Sequence, residues 1–301
     1  MPSSDVEEFR AILASSKNIM IVSGAGLSAA SGIATFRGQG GRWRKYDAQV
    51  LATLSAWQEN QSRVWQFFHY RREEVRPAKP NEGHNILARL CLPSLRKAIA
   101  PNATVVTHVT QNIDGLSSEA LRTITAELQH SQHSQDASFT TTPSSQPWPD
   151  GQIIEMHGNL FDVVCTAHDC DYRAKNMDNP ICPALGGTEV IVAEGNVEPV
   201  VKRADLPHCP ECTQLLRPDV VWFGERPKRI QEILDIANKV DLCLVVGTSS
   251  LVQPASKLPE RVRAHGGKIA VFNMEAANHS DEADFLFLGS CETELGRVLG
   301  L

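Results

Sequence analysis

Short, almost continuously apolar segments recur along the 301-residue chain and constrain its fold more than any other feature. Segments of this kind are typical of strands that are buried on both faces, and the helical stretches between them indicate crossover connections. The sequence therefore predicts an α/β fold built on an open, doubly wound parallel sheet. The predicted strands lie at residues 18–22, 103–109, 219–223, 241–246, 268–272 and 284–288.

Two segments interrupt this alternation, and we expect each to form a module outside the sheet. Residues 43–90 are rich in Trp and Arg and have helical character, whereas residues 158–213 carry most of the cysteines. Residues 129–151 are rich in Ser, Gln, Thr and Pro and lack hydrophobic periodicity, which indicates a flexible surface insertion. The remaining segments, expected to form the sheet domain, are 1–42, 91–157 and 214–301.

Composition argues against two classes of partner. A net charge of -6 and a pI of about 5.9 give no overall attraction to nucleic acid or to an anionic membrane. No apolar run approaches the roughly 18 residues that a membrane-spanning helix needs. We therefore expect neither direct nucleic-acid binding nor membrane insertion.

A glycine-rich turn, SGAGLSAASG, follows the first predicted strand. Gly24 and Gly26, with Ala29, approximate the GxGxxA pattern that lets a backbone approach a pyrophosphate. A dehydrogenase would carry an acidic residue at the end of a second strand about 20 residues later, and no strand precedes Asp47 here. The turn predicts nucleotide binding without hydride transfer; the alternative is that its glycines serve only close packing.

Two closely spaced cysteine pairs indicate a tetrahedral thiolate zinc site. The pairs stand in CTAHDC and CPEC, and with four thiolates and no open position the zinc would be structural. His168, His208 and Cys182 lie near enough in sequence to be rival ligands. The four cysteines of the pairs are Cys165, Cys170, Cys209 and Cys212.

Polar residues follow several predicted strands, where the ligands of open α/β sheets bind. His157 is the best candidate for a general base because the pKa of an imidazole lies near neutrality. A lone histidine at such a position can instead be a buried structural residue. The side chains and backbone expected in this crevice are those of Gln111, Asn112, Asp114, His157, Gly247, Thr248 and Ser249.

An arginine stands on the apolar face of a predicted helix. At helical spacing Val64, Phe68, Arg71 and Val75 share one face of VWQFFHYRREEV. A guanidinium stays charged, so on a buried face Arg71 needs an anion or several carbonyl acceptors. The alternative is that its stem packs on the protein while its head reaches water.

Together these motifs resemble the sirtuin family of NAD-dependent protein-lysine deacylases. The resemblance runs through GAGLSAASGIATFRG, TQNIDGL, EMHGNL, both cysteine pairs, LLRPDVVWFGE, GTSS and VFNME, and thus along nearly the whole chain. It implies a Rossmann-like domain, a small zinc module, and NAD that is consumed with release of nicotinamide. It also implies that the acyl oxygen attacks the ribose carbon that carries nicotinamide.

The resemblance also implies a role for individual residues. His157 is the catalytic base that deprotonates a ribose hydroxyl. The residues implied to bind NAD are Gly24, Ala25, Gly26, Phe36, Arg37, Gln111, Asn112, Asp114, Gly247, Thr248, Ser249, Asn273, Glu275 and Cys291. The residues implied to pair with the substrate backbone by strand addition are Val221, Trp222, Phe223, Gly224 and Glu225.

Within the family, the segment around Arg71 most resembles class III, whose members remove succinyl, malonyl and glutaryl groups. In that class an arginine and a tyrosine spaced Y-x-x-R hold the distal carboxylate, and a small alanine widens the pocket. Arg71 and Ala52 match, but Phe68 stands at the tyrosine position. Loss of one hydroxyl to a charged oxygen costs roughly 1.5 to 3 kcal/mol, so the acidic-acyl preference is expected to be weakened.

Other functions from the same family and from other protein classes are alternatives to the removal of acidic acyl groups. Uncharged acyl groups such as acetyl, crotonyl or lactyl could be preferred, or ADP-ribose could be transferred. A nucleotide-binding regulatory protein without turnover and a zinc-dependent hydrolase are the competing classes. Acyl-lysine proteins, histones or metabolic enzymes among them, are the expected partners; the start MPSSDVEEFR predicts a cytoplasmic or nuclear location, with mitochondria as the alternative.

Overall fold

The computed structural model describes residues 1–35, 41–133, 151–190, 199–278 and 280–301. Its strands are β1 (Asn18–Ser23), β2 (Arg42–Trp43), β3 (Tyr46–Asp47), β4 (Val105–Thr110), β5 (Gly151–Glu155), β6 (Gly158–Cys165), β7 (Arg173–Lys175), β8 (Leu216–Val220), β9 (Leu242–Val246), β10 (Lys268–Asn273) and β11 (Phe285–Leu288). Its α-helices are α1 (Val6–Ser15), α2 (Ala48–Leu51), α3 (Leu54–Glu59), α4 (Gln61–Val75), α5 (Glu82–Cys91), α6 (Pro93–Ile99), α7 (Leu116–His133), α8 (Ile230–Ala237), α9 (Leu258–Ala264) and α10 (Cys291–Leu299).

Six parallel strands form the main sheet, in the order β11-β10-β9-β1-β4-β5. β1 is central: Ile19 and Ile21 belong to the hydrophobic core on one face of the sheet, and Met20 and Val22 to the core on the other. Burial on both faces explains why the four successive residues Ile19 to Val22 of β1 are all apolar. The predicted doubly wound α/β fold is confirmed.

One predicted strand lies elsewhere. The segment expected to form a strand at 219–223 instead forms β8 at Leu216–Val220, which pairs with β6 in a separate antiparallel sheet of order β7-β6-β8. That sheet packs against α4 in a third hydrophobic core. Continuous apolar sequence shows that a strand is buried but not which sheet buries it, which is why this assignment was wrong.

The segment predicted as a flexible insertion is only partly within the described residues. α7 extends to His133 and β5 begins at Gly151, so the insertion begins later than residue 129. Residues 134–150 lie outside the described part of the chain. Among the described residues no helix combines the length and hydrophobicity that crossing a bilayer requires.

Candidate active site

The carboxyl ends of three neighbouring strands, β1, β4 and β9, bring several of the predicted NAD residues together. Past β1, Gly24 N donates to Val246 O at 3.0 Å and Gly26 N donates to Gly247 O at 2.7 Å. Past β4, Gln111 N donates to Ser23 O at 2.9 Å. These bonds continue the sheet beyond its strands and fix the loops that follow β1, β4 and β9 against one another.

The two glycines of the first loop are required by close packing. A Cβ atom added to Gly24 would lie 2.8 Å from Thr248 Cβ, and one added to Gly26 would lie 2.8 Å from Gly247 O. Gly247 itself has a φ of 58°, in the left-handed region that favours glycine. Packing therefore accounts for these glycines in this structure, and it also places a short 3₁₀-helix, Ala25–Ser31, at the edge of the crevice.

A buried carboxylate is held at the same edge. Asp114 accepts hydrogen bonds from Ser28 Oγ at 2.7 Å and from Leu116 N at 2.9 Å. Burial raises the pKa of Asp114, and the two hydrogen bonds and the charge of Arg71 partly oppose that rise. Both bonds are accepted by the carboxylate, so the arrangement suits an ionised acid facing a ligand.

Ser28 connects this carboxylate to two further residues. Its hydroxyl accepts a bond from Asn112 Nδ2 at 3.0 Å, and His84 Nε2 lies at 3.3 Å. His84 Nδ1 accepts from Asn81 N, so the proton of its neutral ring is on Nε2. Burial lowers the pKa of His84 to about 4. Sequence reasoning missed Ser28 and His84, although the helix-capping pattern of Asn81 three residues before His84 was a usable signal.

His157 is placed as a neutral base. Its Nδ1 lies 3.0 Å from the carbonyl oxygen of Gln111, which can only accept, so the ring proton is on Nδ1 and Nε2 has a lone pair. Burial lowers the pKa of His157, and this hydrogen bond partly opposes the effect. Gly158 follows with a φ of 80°, and a Cβ atom there would meet Asp219 O at 2.0 Å, so the turn that presents His157 requires glycine.

The residues expected beside the adenosine of NAD differ from one another in burial and in hydrogen bonding. Asn273 Nδ2 donates to Thr248 O at 3.1 Å, and Gln111 Nε2 donates to Thr248 Oγ1 at 3.2 Å. Glu275 is exposed, whereas Cys291 is buried at the start of α10, where burial raises its pKa to about 11. Phe36 and Arg37 lie outside the described residues.

The four cysteines of the two pairs form one cluster. Their sulfur atoms all lie within 4.8 Å of one another, with Cys165 and Cys212 at 3.4 Å and Cys170 and Cys209 at 3.7 Å. Tetrahedral zinc with sulfur ligands at 2.3 Å separates its sulfurs by about 3.8 Å. The donor set and its spacing therefore fit one structural zinc. Among the described residues, these four cysteines form the group of His, Cys, Asp or Glu side chains whose ligand atoms lie close enough together to hold a metal ion.

The segment predicted to pair with substrate packs against the helical module. Phe223 N donates to Ala52 O at 2.8 Å, and the Phe223 side chain is 43% exposed. Trp222 is buried, and Glu225 is held by Arg217 at 2.8 and 2.9 Å. Val221 and Gly224 complete the segment, in which Val221 N donates to His157 O at 2.8 Å. Backbone contacts thus join the catalytic candidate to this surface.

Two arginines of α4 are buried and donate hydrogen bonds to different kinds of acceptor. Arg72 donates to Asn176 O at 2.8 Å and to Leu160 O at 3.3 Å, so it ties α4 to the small sheet. Arg71 Nη1 donates to Glu74 Oε2 at 2.6 Å. The anion that a buried Arg71 needs is therefore supplied by the protein itself, as the carboxylate of Glu74 three residues later on the same helix. Phe68, one turn before Arg71, is buried and shares its core with Ala52.

Comparisons with known proteins agree with this geometry. The Sir2 family model matches residues 24–138 and 148–254. The chain is 40% identical over 307 residues to NAD-dependent protein deacylase sirtuin-5, mitochondrial, of Canis lupus familiaris, covering 99% of this chain and 86% of that protein. The protein of the same name from Xenopus tropicalis is 40% identical over 303 residues, covering 98% and 85%. A solved complex of a Sir2 homolog with NAD superposes with a TM-score of 0.72 at 28% identity, covering 100% of this chain and 95% of that one.

Proposed function

The chain belongs to the Sir2 family and is an NAD-dependent protein deacylase, and from that premise we propose that it removes acidic acyl groups from protein lysines. The groups are succinyl, malonyl and glutaryl. Acyl-lysine, NAD and one water molecule give nicotinamide, O-acyl-ADP-ribose and free lysine. The observation that carries the proposal is the Arg71 guanidinium, which is buried and close enough to Asp114 for its charge to oppose part of the rise that burial causes in the pKa of that carboxyl. A positive charge at this depth beside the NAD residues suits the distal carboxylate of an acyl group.

In this proposal the carboxyl edge of the sheet binds NAD. NAD supplies a ribose carbon from which nicotinamide can leave. Asn112 and Asp114 offer an amide and a carboxylate to the nicotinamide and its ribose, and Ser28 holds both in place. The Nδ1–H of His157 donates a hydrogen bond to Gln111 O, so the lone pair of the ring is on Nε2. Nε2 is therefore the atom that accepts the proton of a ribose hydroxyl. The glycine loop, with Gly247, Thr248 and Ser249, lies at the phosphate and adenosine side.

Phe68 makes the preference for acidic groups weaker than a tyrosine would. Phenylalanine has no hydroxyl to donate to the acyl carboxylate, and it is buried among apolar side chains. An uncharged acyl group, such as acetyl, crotonyl or lactyl, would be compatible with this drier surface. A broad deacylase is therefore the second candidate, and the Arg71–Glu74 ion pair also favours it.

A panel of acylated peptides tests the proposal. One peptide carrying acetyl-, crotonyl-, lactyl-, malonyl-, succinyl- or glutaryl-lysine is turned over with NAD by the wild type, Arg71→Met and Phe68→Tyr. We expect Arg71→Met to lower succinyl and malonyl turnover roughly 10-fold or more relative to acetyl, and Phe68→Tyr to raise it. Equal effects on charged and uncharged groups would contradict the assignment of Arg71.

The division of the chain and its location belong to the same proposal. The core around β6 and α4 is separate from the two cores of the parallel sheet, which supports a zinc module and a helical module beside the NAD domain.

Relatives named as mitochondrial proteins favour the mitochondrial alternative over the cytoplasmic or nuclear location. Subcellular fractionation of cells that express the protein decides between these compartments.

A further inference from the structure

The Arg71 side chain pairs with a carboxylate of its own helix. Arg71 Nη1 lies 2.6 Å from Glu74 Oε2, and the residues are three positions apart on α4. The Arg71 side chain is 8% exposed and that of Glu74 is 20% exposed, so water screens their interaction less than that of an exposed pair. The charge that would attract an acidic acyl group is therefore largely compensated within the protein.

The surrounding charges increase this compensation. Asp114 also interacts with the Arg71 charge, and the charge of Glu74 helps to raise the pKa of the neighbouring Tyr70. Two carboxylates thus already act on one guanidinium. One guanidinium and two ionised carboxylates already carry a net negative charge, and a third carboxylate from the substrate would add to it in a largely buried region, which is unfavourable unless one acid withdraws.

Resting on the proposed binding of acyl groups at Arg71, we propose that Glu74 is a specificity-determining residue that competes with the substrate carboxylate for the Arg71 guanidinium. An acidic acyl group must displace Glu74 or bind against its repulsion. An uncharged acyl group meets neither obstacle. Glu74 therefore lowers the ratio of kcat/KM for succinyl- or malonyl-lysine to kcat/KM for acetyl-lysine. The i, i+3 spacing holds Glu74 within reach of Arg71 whether or not substrate is bound.

Replacing Glu74 by glutamine tests this competition, because glutamine keeps the size of the side chain and removes its charge. We expect Glu74→Gln to raise kcat/KM for a succinyl-lysine peptide about 10-fold relative to the matching acetyl-lysine peptide. The ratio is measured within one enzyme preparation, so partial loss of folded protein cancels. Glu74→Asp, which keeps the charge but withdraws it by one methylene, should give a smaller rise.

Glu73→Gln is the matched control. Glu73 is the preceding residue of α4 and pairs with Arg76 at 3.4 Å instead of with Arg71. Its side chain is 21% exposed, much as that of Glu74 is, so its replacement removes the same charge from the same helix at a similar depth. Because Glu73 does not pair with Arg71, this change should leave the succinyl-to-acetyl ratio within about twofold. An equal rise in Glu73→Gln and Glu74→Gln would overturn the proposal, since it would reflect the overall charge of the helix.

Arg71→Met separates this inference from the proposed function. If Arg71→Met lowers the succinyl-to-acetyl ratio and Glu74→Gln raises it, both stand. If Arg71→Met lowers the ratio but Glu74→Gln leaves it unchanged, only the competition by Glu74 is overturned. If Arg71→Met leaves the ratio unchanged, the acyl carboxylate does not bind at Arg71, and both the proposed acyl preference and the role of Glu74 are overturned.

Discussion

At the scale of single residues, the protonation of His157 is the clearest consequence of its surroundings. Burial lowers the pKa of His157, and a general base must be unprotonated to accept a proton. The proposed role predicts that kcat/KM is constant through neutral pH and falls on acidification only below about pH 6.5, the ordinary value for an imidazole. A pH profile of peptide deacylation checks this, and an acid limb centred above that value would contradict it.

The Ser28 hydroxyl is predicted to position the carboxylate of Asp114. Ser28→Ala removes the 2.7 Å hydrogen bond to Asp114 and one acceptor of Asn112. A hydrogen bond to a charged group is worth roughly 1.5 to 3 kcal/mol, so we expect the KM for NAD to rise about 10-fold or more. Ser15→Ala, which removes an exposed serine at the end of α1, is the control and should leave the KM unchanged. Unchanged NAD kinetics in Ser28→Ala would argue against this role.

The Arg71–Glu74 pair shows what residue-level sequence reasoning can miss. Arg71 lies on the apolar face of α4, and Glu74 follows three residues later, at a spacing that brings side chains together on a helix. That spacing alone did not show that both side chains are largely buried, because burial depends on the modules packed around α4. The sequence spacing indicates that Arg71 and Glu74 can pair, but it does not show that the pair is largely buried from water.

At the scale of elements, the turn between β5 and β6 is the most constrained. Gly158 has a φ of 80°, and an added Cβ atom would lie 2.0 Å from Asp219 O. Gly158→Ala should therefore cost both the left-handed backbone energy and a clash with backbone, together about 3 kcal/mol or more. Chemical denaturation measures this loss.

Gly187→Ala provides the comparison for that measurement. Gly187 has a φ of 85° but no heavy atom within 4 Å of an added Cβ, so its replacement should cost only the backbone energy, about 1 to 2 kcal/mol. Equal destabilisation by the two substitutions would show that the contact with Asp219 O is relieved at little cost.

Five of the six strands of the parallel sheet were predicted from the sequence, namely β1, β4, β9, β10 and β11, whereas the edge strand β5 was not. β8 was misplaced because its apolar residues are buried by α4 and β6, and sequence hydrophobicity does not distinguish these surroundings. The crevice at the strand ends was predicted because parallel strands present their carboxyl ends at one edge. Its supporting residues, Ser28 and His84, were missed because their contacts join α5 to the glycine turn, far away in sequence.

At the scale of the whole molecule, the four-cysteine cluster is expected to stabilise the surface that we propose binds the acyl group. Cys165 and Cys209 belong to the same hydrophobic core as Ala52 and Phe68. Removing zinc with a strong chelator should release one zinc per chain, lower the Tm and abolish deacylation, because the metal would then no longer join the two cysteine pairs. Cys182→Ser changes a cysteine outside the cluster and should retain the metal. Full activity after complete zinc release would contradict a structural role.

The coupling of NAD consumption to deacylation tests the central claim most directly. Nicotinamide and deacylated peptide are quantified together, with and without NAD, for the wild type and His157→Ala. We expect one nicotinamide per deacylated lysine in the wild type, no deacylation without NAD, and loss of both products in His157→Ala while NAD binding persists. Nicotinamide release without matching deacylated peptide, or deacylation that needs no NAD, would contradict the account.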